Sequence, residues 1–313
     1  EEVSGKPVGA VMSSWTDQLG FPMLRVSKIR PDNGSIKFKV KQKWFLADGS
    51  SPPGSDAKCW KIPLLATYGT GSGPDDVTAD GVEAGFLDSL SEVEFSVPAQ
   101  GVTPASTGVW LKLNSGQHVM ARVVYDDPED VDKLARAVRR RDMSHPMDRA
   151  GLLLDAYALA KAGITDPGQL LVLLSAYEDE DNMAVWDAVE QSLNGLAAIV
   201  RGTELEPQLA SFARRLVQRR AEALGWEAKP TDTHLDTLSR AILVRLQAKF
   251  MSNDDAVKAR ARSLFDAYVA DPLKSGIPAD IKMPVFRVAL ANGSSKDLDD
   301  FLATLKKLET VAQ

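Results

Sequence analysis

The segment Ser35-Ile-Lys-Phe-Lys-Val-Lys-Gln-Lys-Trp-Phe45 alternates apolar and charged side chains. Its apolar face carries Ile36, Phe38, Val40 and Trp44. Lysines occupy the intervening positions, and a period of two is the signature of a strand that is buried on one face only. The segment therefore predicts a β-strand and, with it, a β-sheet in the first part of the chain.

Further short apolar segments surround this strand and are separated by turn-forming stretches. They are residues 23–29, 60–66, 92–97, 109–113 and 119–125. Ala47-Asp-Gly-Ser-Ser-Pro-Pro-Gly54 is typical of the turns between them. Several short strands at this spacing favour a small antiparallel sandwich. We predict that this β-sandwich domain covers residues 21–126.

The periodicity changes at Asp127 and Pro128, where an N-cap residue is followed by a residue suited to the first helical position. Beyond this point apolar residues recur at helical spacing, in the blocks 152–160, 170–177, 183–199, 209–224, 235–248, 256–269, 285–290 and 298–308. No strand signal interrupts them. Short links between about eight or nine helices suggest stacked hairpins, an α-helical solenoid of HEAT/armadillo-like type over residues 127–313.

Residues 1–20 fit neither domain. The stretch 7–19 reads as one helix closed by a glycine C-cap at Gly20. It has the character of the last helix of a preceding domain. The predicted fold class is therefore multidomain, β plus α.

Composition excludes several classes of protein. The chain of 313 residues is 44% hydrophobic and 26% charged, and 37 Lys and Arg against 43 Asp and Glu give a net charge of −6. This balance lacks the basic field of a nucleic-acid-binding protein. No apolar run approaches the roughly 20 residues of a membrane span. The single cysteine, Cys59, fits a reducing compartment, and we expect a cytoplasmic protein.

The sequence contains no recognisable metal-binding motif. The three histidines are His118, His145 and His234. None belongs to H-E-x-x-H, and no two have the spacing of an ordinary zinc site. We interpret all three as structural or surface residues. Catalytic residues and metal ligands are both assigned as none, and the substrate-binding residues are left open.

Three other segments have partial resemblances to functional motifs. Gly69-Thr-Gly-Ser-Gly-Pro74 lacks the downstream helix of a hydrolase elbow or a phosphate loop and reads as a flexible loop. Glu178-Asp-Glu-Asp181 lacks the pattern of a calcium loop and is better explained by the positive end of the following helix dipole. The arginines at 139–141, 214–215 and 219–220 are interpreted as solvated helix faces.

Several strings, taken in order, carry a family resemblance. Val11-Met-Ser-Ser-Trp-Thr-Asp-Gln-Leu-Gly-Phe-Pro22 resembles V-M-x-x-W-T-x-Q-x-G-[FY]-P, and Trp110-Leu-Lys-Leu-Asn114 resembles W-[IV]-K-L-N. Asp148-Arg-Ala150, Glu180-Asp-Asn-Met-Ala-Val-Trp186 and Ile277-Pro-Ala-Asp-Ile-Lys-Met-Pro-Val-Phe286 follow in the same order. The chain resembles the puromycin-sensitive branch of the gluzincin aminopeptidase family. Met120-Ala121 departs from it, where paired aromatic residues are usual.

The resemblance implies that this is a C-terminal part of a zinc metallo-aminopeptidase that lacks the catalytic domain. In the family, the H-E-x-x-H helix, the glutamate ligand and the transition-state tyrosine all lie upstream of the segment similar to 11–22. Residues 1–20 would then be the terminal helix of the missing catalytic domain. Residues 21–126 would be a sandwich spacer, and 127–313 the first part of a helical bowl that caps the active site and limits substrate access. The solenoid would be truncated at its C-terminal end.

The same resemblance implies partners and cofactors. The parent protein would be a zinc-dependent hydrolase that removes N-terminal residues from peptides, whereas this fragment alone would be inactive and hold no cofactor. Its partners would be the missing N-terminal and catalytic domains and, in the parent, the peptide substrate. We expect neither nucleic acid nor a membrane as partner. Self-association through the cut end is expected, because the final helix carries an apolar stripe formed by Leu298, Phe301, Leu302, Leu305 and Leu308.

Two other classes of protein compete with this interpretation. An autonomous α-solenoid could bind a peptide or protein on its concave face, but the helix at residues 7–19 argues against a self-contained module. An independent hydrolase would need a nucleophile or a metal site that the sequence does not display. Residue preference, the peptide-contacting side chains and the native oligomeric state cannot be read from the sequence.

Overall fold

The computed structural model describes residues 7–71 and 78–311, and the chain divides into two compact units, Glu1–Asp179 and Glu180–Gln313. In the first unit, helix α1 (Val8–Thr16) precedes strands β1 (Pro22–Asp32), β2 (Ser35–Trp44), β3 (Ile62–Gly69), β4 (Thr78–Leu87), β5 (Val93–Pro98), β6 (Trp110–Leu113) and β7 (Arg122–Tyr125). Helices α2 (Pro128–Arg139), α3 (Pro146–Lys161) and α4 (Pro167–Leu174) complete it.

The second unit is helical throughout its described residues. Its elements are α5 (Met183–Val200), α6 (Glu206–Leu224), α7 (His234–Phe250), α8 (Asp255–Ala270), α9 (Ala279–Ala291) and α10 (Ser295–Val311). Helix α7 contacts α5, α6 and α9, and α8 packs on α9. The predicted combination of β-sheets and helices is confirmed, and the solenoid type stays a prediction. Within the residues the structure describes, no helix is long and apolar enough to cross a membrane.

The strands form two sheets, one in the order β5-β2-β1-β7 and one in the order β4-β3-β6. All described pairs are antiparallel except β1 with β7, which run parallel with Leu24 opposite Val123. This pair departs from the expectation of a wholly antiparallel sandwich. A parallel pair needs a long crossover, and here the crossover contains five other strands.

The alternation in β2 sets which of its side chains are buried. Ile36, Phe38 and Val40 have no exposed surface, as the sequence predicts. Gln42 continues this buried face because its side chain makes two hydrogen bonds with the backbone of Trp60. Nε2 of Gln42 donates to the Trp60 carbonyl at 2.9 Å, and the Trp60 backbone amide donates to Oε1 of Gln42 at 2.8 Å. A buried polar group of this kind is tolerated only when it is hydrogen-bonded.

Strand β4 was not indicated by the sequence. It lies at the edge of its sheet, pairs with β3 alone among the described strands, and leaves most of its residues exposed or half-buried. Gly81 and Gly85 have positive φ values of 69° and 125°, and the register shifts along the strand. An irregular, solvated edge strand needs no apolar alternation, so it leaves no period-2 signal.

Helix α1 ends earlier than predicted. It stops at Thr16, and Asp17 rather than Gly20 is its C-cap residue. Gly20 is required for another reason: its φ is 90°, and a Cβ there would lie 2.1 Å from Nε1 of Trp44. No residue of α1 is buried. The side chain of Trp15 attaches the helix to the sandwich, with Nε1 donating to the carbonyl of Lys61 at 3.2 Å.

The predicted helix start at Asp127 is confirmed, and Trp186 is buried as its helical spacing indicates. The carboxylate of Asp127 accepts a hydrogen bond from the amide of Glu129 at 2.9 Å, which caps α2. Trp186 has no exposed surface. In the second unit an aromatic cluster joins α8, α9 and α10 and contains Phe265, Tyr268, Phe286 and Phe301.

Candidate functional site

The described residues do not supply a ligand set for zinc. Across residues 7–71 and 78–311, no group of three His, Cys, Asp or Glu side chains is placed to hold a metal ion. His145 precedes α3 without capping it through its side chain, and His234 is the first residue of α7. His118 follows a short turn, where its ring would collide with any side chain at Gly116. All three histidines are exposed.

The glycine-rich segment at residues 69–74 lies partly outside the described residues. Gly71 has a φ of 67°, and a Cβ there would lie 2.0 Å from the carbonyl oxygen of Gly108. The close approach of two backbone segments therefore requires this glycine.

The acidic run and the arginine clusters have local structural roles. In the second unit, Oε1 of Glu180 accepts hydrogen bonds from the amides of Asp181 and Asn182 at 3.0 and 2.9 Å, ahead of α5. Nε1 of Trp186 donates to the carbonyl of Glu180 at 3.1 Å. Arg214 pairs with Asp254 at 2.9 Å and Arg220 with Asp236 at 3.2 Å. The interpretation of these segments as caps and solvated helix faces agrees with these contacts.

A buried ion pair joins the sandwich to α3 within the first unit. Nζ of Lys112, on β6, lies 2.6 Å from Oδ1 of Asp148. The other carboxylate oxygen accepts a 2.9 Å bond from the hydroxyl of Thr67, and the amide of Gly116 donates to Oδ1 at 2.7 Å. Burial lowers the pKa of Lys112 more than its partner raises it. Both oxygens of this carboxylate accept hydrogen bonds from protein groups, which supports a structural role for the cluster.

Asp155 makes a similar arrangement two turns further along the same face of α3. Its carboxylate accepts bonds of 3.1 Å from Arg122 and from the amide of Val123, both on β7. Burial outweighs these partners and raises the pKa of Asp155 to about 6. Asp130, on α2, is also buried, and its pKa rises to about 6 for the same reason. These carboxylates face protein groups rather than an open cavity.

The most promising surface lies in the second unit, where two adjoining cavities share Lys249 and Arg287 in their walls. One has a volume of 340 Å³ and is lined by Ala197, Ala198, Val200, Arg201, Glu206, Leu209, Ala210, Lys249, Phe250 and Arg287. The other has a volume of 430 Å³ and is lined by Glu190, Asn194, Arg245, Ala248, Lys249, Met283, Pro284 and Arg287. We call the two cavities together the basic groove.

The electrostatics of the basic groove favour an anion. Burial and the positive charge of Arg287 lower the pKa of Lys249, the negative charge of Glu190 partly opposes them, and Arg201 lowers it further. Nζ of Lys249 donates to the neutral amide oxygen of Asn194 at 2.7 Å. A cation whose neighbours are also cations is stabilised by an added negative charge.

No pattern in the sequence predicts this groove. Arg245 and Lys249 are four residues apart on α7 and share a face, but Arg201 ends α5 and Arg287 lies on α9. Isolated basic residues on three separate helices form no local motif. Only the packing of α5, α7 and α9 brings them together, and the sequence does not specify that packing.

Comparisons with known proteins place the chain in a family. A family profile described as the ERAP1-like C-terminal domain matches residues 110–313. A puromycin-sensitive aminopeptidase of Caenorhabditis elegans is 30% identical over 96% of the chain and 30% of its own length. Aminopeptidase M1-B of Oryza sativa is 27% identical over 100% of the chain and 34% of its own length. Aminopeptidase M1 of Arabidopsis thaliana is 28% identical over 98% of the chain and 33% of its own length.

These matches confirm the family resemblance, and the chain belongs to the family of ERAP1-like C-terminal domains. It corresponds to a C-terminal part of an M1-family aminopeptidase. The chain spans about a third of the length of the curated relatives it matches.

Proposed function

We propose that this chain is the noncatalytic C-terminal region of a zinc aminopeptidase that removes N-terminal residues from peptides. The observation that carries the proposal is the match of residues 110–313 to the ERAP1-like C-terminal domain, together with relatives that are named aminopeptidases and align over nearly the whole chain. The described residues lack a metal-ligand set, so zinc would be held by a catalytic domain elsewhere in the parent protein.

Within that parent, we assign the sandwich the role of a spacer and the helical region the role of a cap over the active site. A cap of packed helices limits access by size, because a folded substrate cannot pass where an extended peptide can. The buried ion pair of Lys112 and Asp148 supports the spacer role, since it links the sandwich to α3. The cytoplasm is the proposed location, based on the single cysteine.

The capping role can be tested in the parent enzyme. We would compare the whole parent with a form that ends before the residue equivalent to Asp127, using an aminoacyl-coumarin, an extended peptide and a folded protein with an accessible N-terminus. The coumarin assay establishes that both forms are active. If the helical region limits access, only the shortened form will trim the folded protein at a rate comparable to that of the peptide. Equal selectivity of the two forms would contradict the capping role.

Because the shortened form could lose activity through misfolding, a second measurement uses the whole parent, which keeps all its domains. A bulky side chain placed in the basic groove of the whole parent should slow hydrolysis of the extended peptide while leaving the coumarin rate unchanged. A whole parent that trims folded proteins as fast as peptides would refute the cap without any truncation.

A further inference from the structure

We infer that the basic groove is a binding site for the side-chain carboxylates of an acidic peptide. The inference rests on the proposed function only in taking the ligand to be a peptide. Binding of carboxylates by the groove is a property of this chain and can be measured without the parent enzyme.

The acidic residues that line the groove are already engaged. The carboxylate of Glu190 binds the guanidinium of Arg245 through two bonds of 2.7 and 2.6 Å. Oε2 of Glu206 accepts a 2.7 Å hydrogen bond from the amide of Gly202. Neither carboxylate contacts Lys249, and so neither neutralises it through an ion pair.

Three cationic side chains are left without an anionic partner. Within the described part of the chain, the side chains of Arg201 and Arg287 make no hydrogen bond or ion pair, and Lys249 contacts only the neutral side chains of Asn194 and Phe250. Lys249 is half-buried, so solvent screens its repulsion from the two arginines less than at a free surface. In a chain of net charge −6, this local excess of positive charge runs against the overall balance.

The shape of the groove suits a peptide with more than one carboxylate. Both cavities have volumes within the range of about 300–1,000 Å³ that is typical of ligand sites. Apolar side chains such as Leu209 and Phe250 line one cavity, and Met283 and Pro284 line the other. Because both cavities open on the same cations, an extended peptide can place one acidic side chain in each while its aliphatic carbons contact the apolar walls.

Binding would be measured by titration calorimetry on the full chain with three short peptides. The first is acetyl-Ala-Glu-Glu-Ala-amide, and the second replaces both glutamates by glutamine. The third is the glutamine peptide with a free C-terminal carboxylate. We expect the glutamate peptide to bind at least about tenfold more tightly than its glutamine counterpart, because the glutamine peptide loses two charge pairs with the groove. Its affinity should fall as salt is added.

Two variants locate the site. Arg287→Gln changes an exposed residue, so folding should be preserved, and it should weaken binding of the glutamate peptide about fivefold or more, as expected for one charge-assisted contact. Arg215→Gln is the matched control, since Arg215 is an exposed arginine of α6 that contacts Ser211 and lines neither cavity. It removes the same charge from the same unit and should leave the affinity unchanged.

Four outcomes would overturn the inference. These are equal affinity for the glutamate and glutamine peptides, no detectable binding, equal loss in the two variants, or tight binding of the glutamine peptide only when its C-terminus is free. The last outcome would assign the groove to a terminal carboxylate rather than to acidic side chains. None of them bears on the comparison of the whole parent with its shortened form, which tests the capping role; a groove that binds no peptide would remove only the test with the bulky side chain.

Discussion

The ammonium group of Lys112 lies 2.6 Å from a carboxylate oxygen of Asp148, and the two side chains are 2% and 0% exposed. Removing one partner of a buried pair leaves an uncompensated charge. We therefore predict that Asp148→Asn lowers the free energy of unfolding by about 3–5 kcal/mol. Urea unfolding of the full chain, followed at a probe in the first unit, measures this.

Glu92→Gln provides the control for that substitution. Glu92 pairs with Lys39 at 3.1 Å, but both side chains are substantially exposed. A surface pair contributes little to stability, so this variant should unfold close to the unmodified chain. Similar losses of unfolding free energy from Asp148→Asn and Glu92→Gln would mean that burial does not set the strength of the Lys112–Asp148 pair.

Trp186 provides a second stability test, in the other unit. It is fully buried on α5, and replacing it by Ala should cost about 3–5 kcal/mol. Leu235→Ala, at a residue that is 52% exposed, should cost far less. A melting temperature that Trp186→Ala leaves unchanged would contradict the observed burial.

The buried carboxylate of Asp155 predicts a stability effect of opposite sign to the usual acid destabilisation. Its pKa is about 6 in the folded state, against 3.8 for an ordinary aspartate, so the folded state binds the proton more tightly. Its stabilising contribution is therefore complete below pH 3.8 and is lost as the pH rises through about 6. Relative to Asp155→Asn, which cannot titrate, the unmodified chain should lose stability between pH 4 and pH 7.

The matched control for this pH series is Asp48→Asn. Hydrogen bonds from Ser50 lower the pKa of Asp48, so its contribution is present above the ordinary carboxyl range and is lost as the pH falls. The two differences in unfolding free energy should therefore run in opposite directions with pH. Parallel curves would show that burial does not control the protonation of Asp155.

The final helix leads to a prediction of fraying and self-association. Leu298 and Leu302 are 47% and 46% exposed on α10, although Phe301 packs into the aromatic cluster. We predict that amide protons of α10 exchange faster than those of α7, and that the chain forms concentration-dependent oligomers. Leu302→Glu should shift sedimentation toward the monomer. Strong protection of α10 in a strictly monomeric sample would contradict this prediction.

The sequence predicts best where burial is one-sided and local. The strand at 35–44 and the burial of Trp186 follow from periodicity within a single element, and the cap at Asp127 follows from residue type and position. Strand β4 could not be found in this way, because an exposed edge strand needs no apolar face. The parallel pairing of β1 with β7 joins segments that are distant in the chain, so no local pattern encodes it.

The Lys112–Asp148 pair and the basic groove likewise depend on contacts between distant segments, which local sequence patterns do not predict. The sequence motif around Lys112 and the segment around Asp148 carry the family resemblance, yet nothing in their spacing shows that they form one buried pair. In the basic groove, Arg201, Lys249 and Arg287 come from three helices whose packing brings them together. Both sites form when elements distant in the sequence pack together, so the sites can be recognised only in the folded chain.

The central claim is that this region is noncatalytic, and direct assay of the purified chain tests it best. After removal of any affinity tag, the chain would be analysed for metal content and assayed with a panel of aminoacyl-coumarins. We predict zinc far below about one ion per chain and no turnover above the buffer, since the described residues provide no metal-ligand set. About one zinc per chain, with turnover that persists through repurification and disappears with a chelator, would contradict the account.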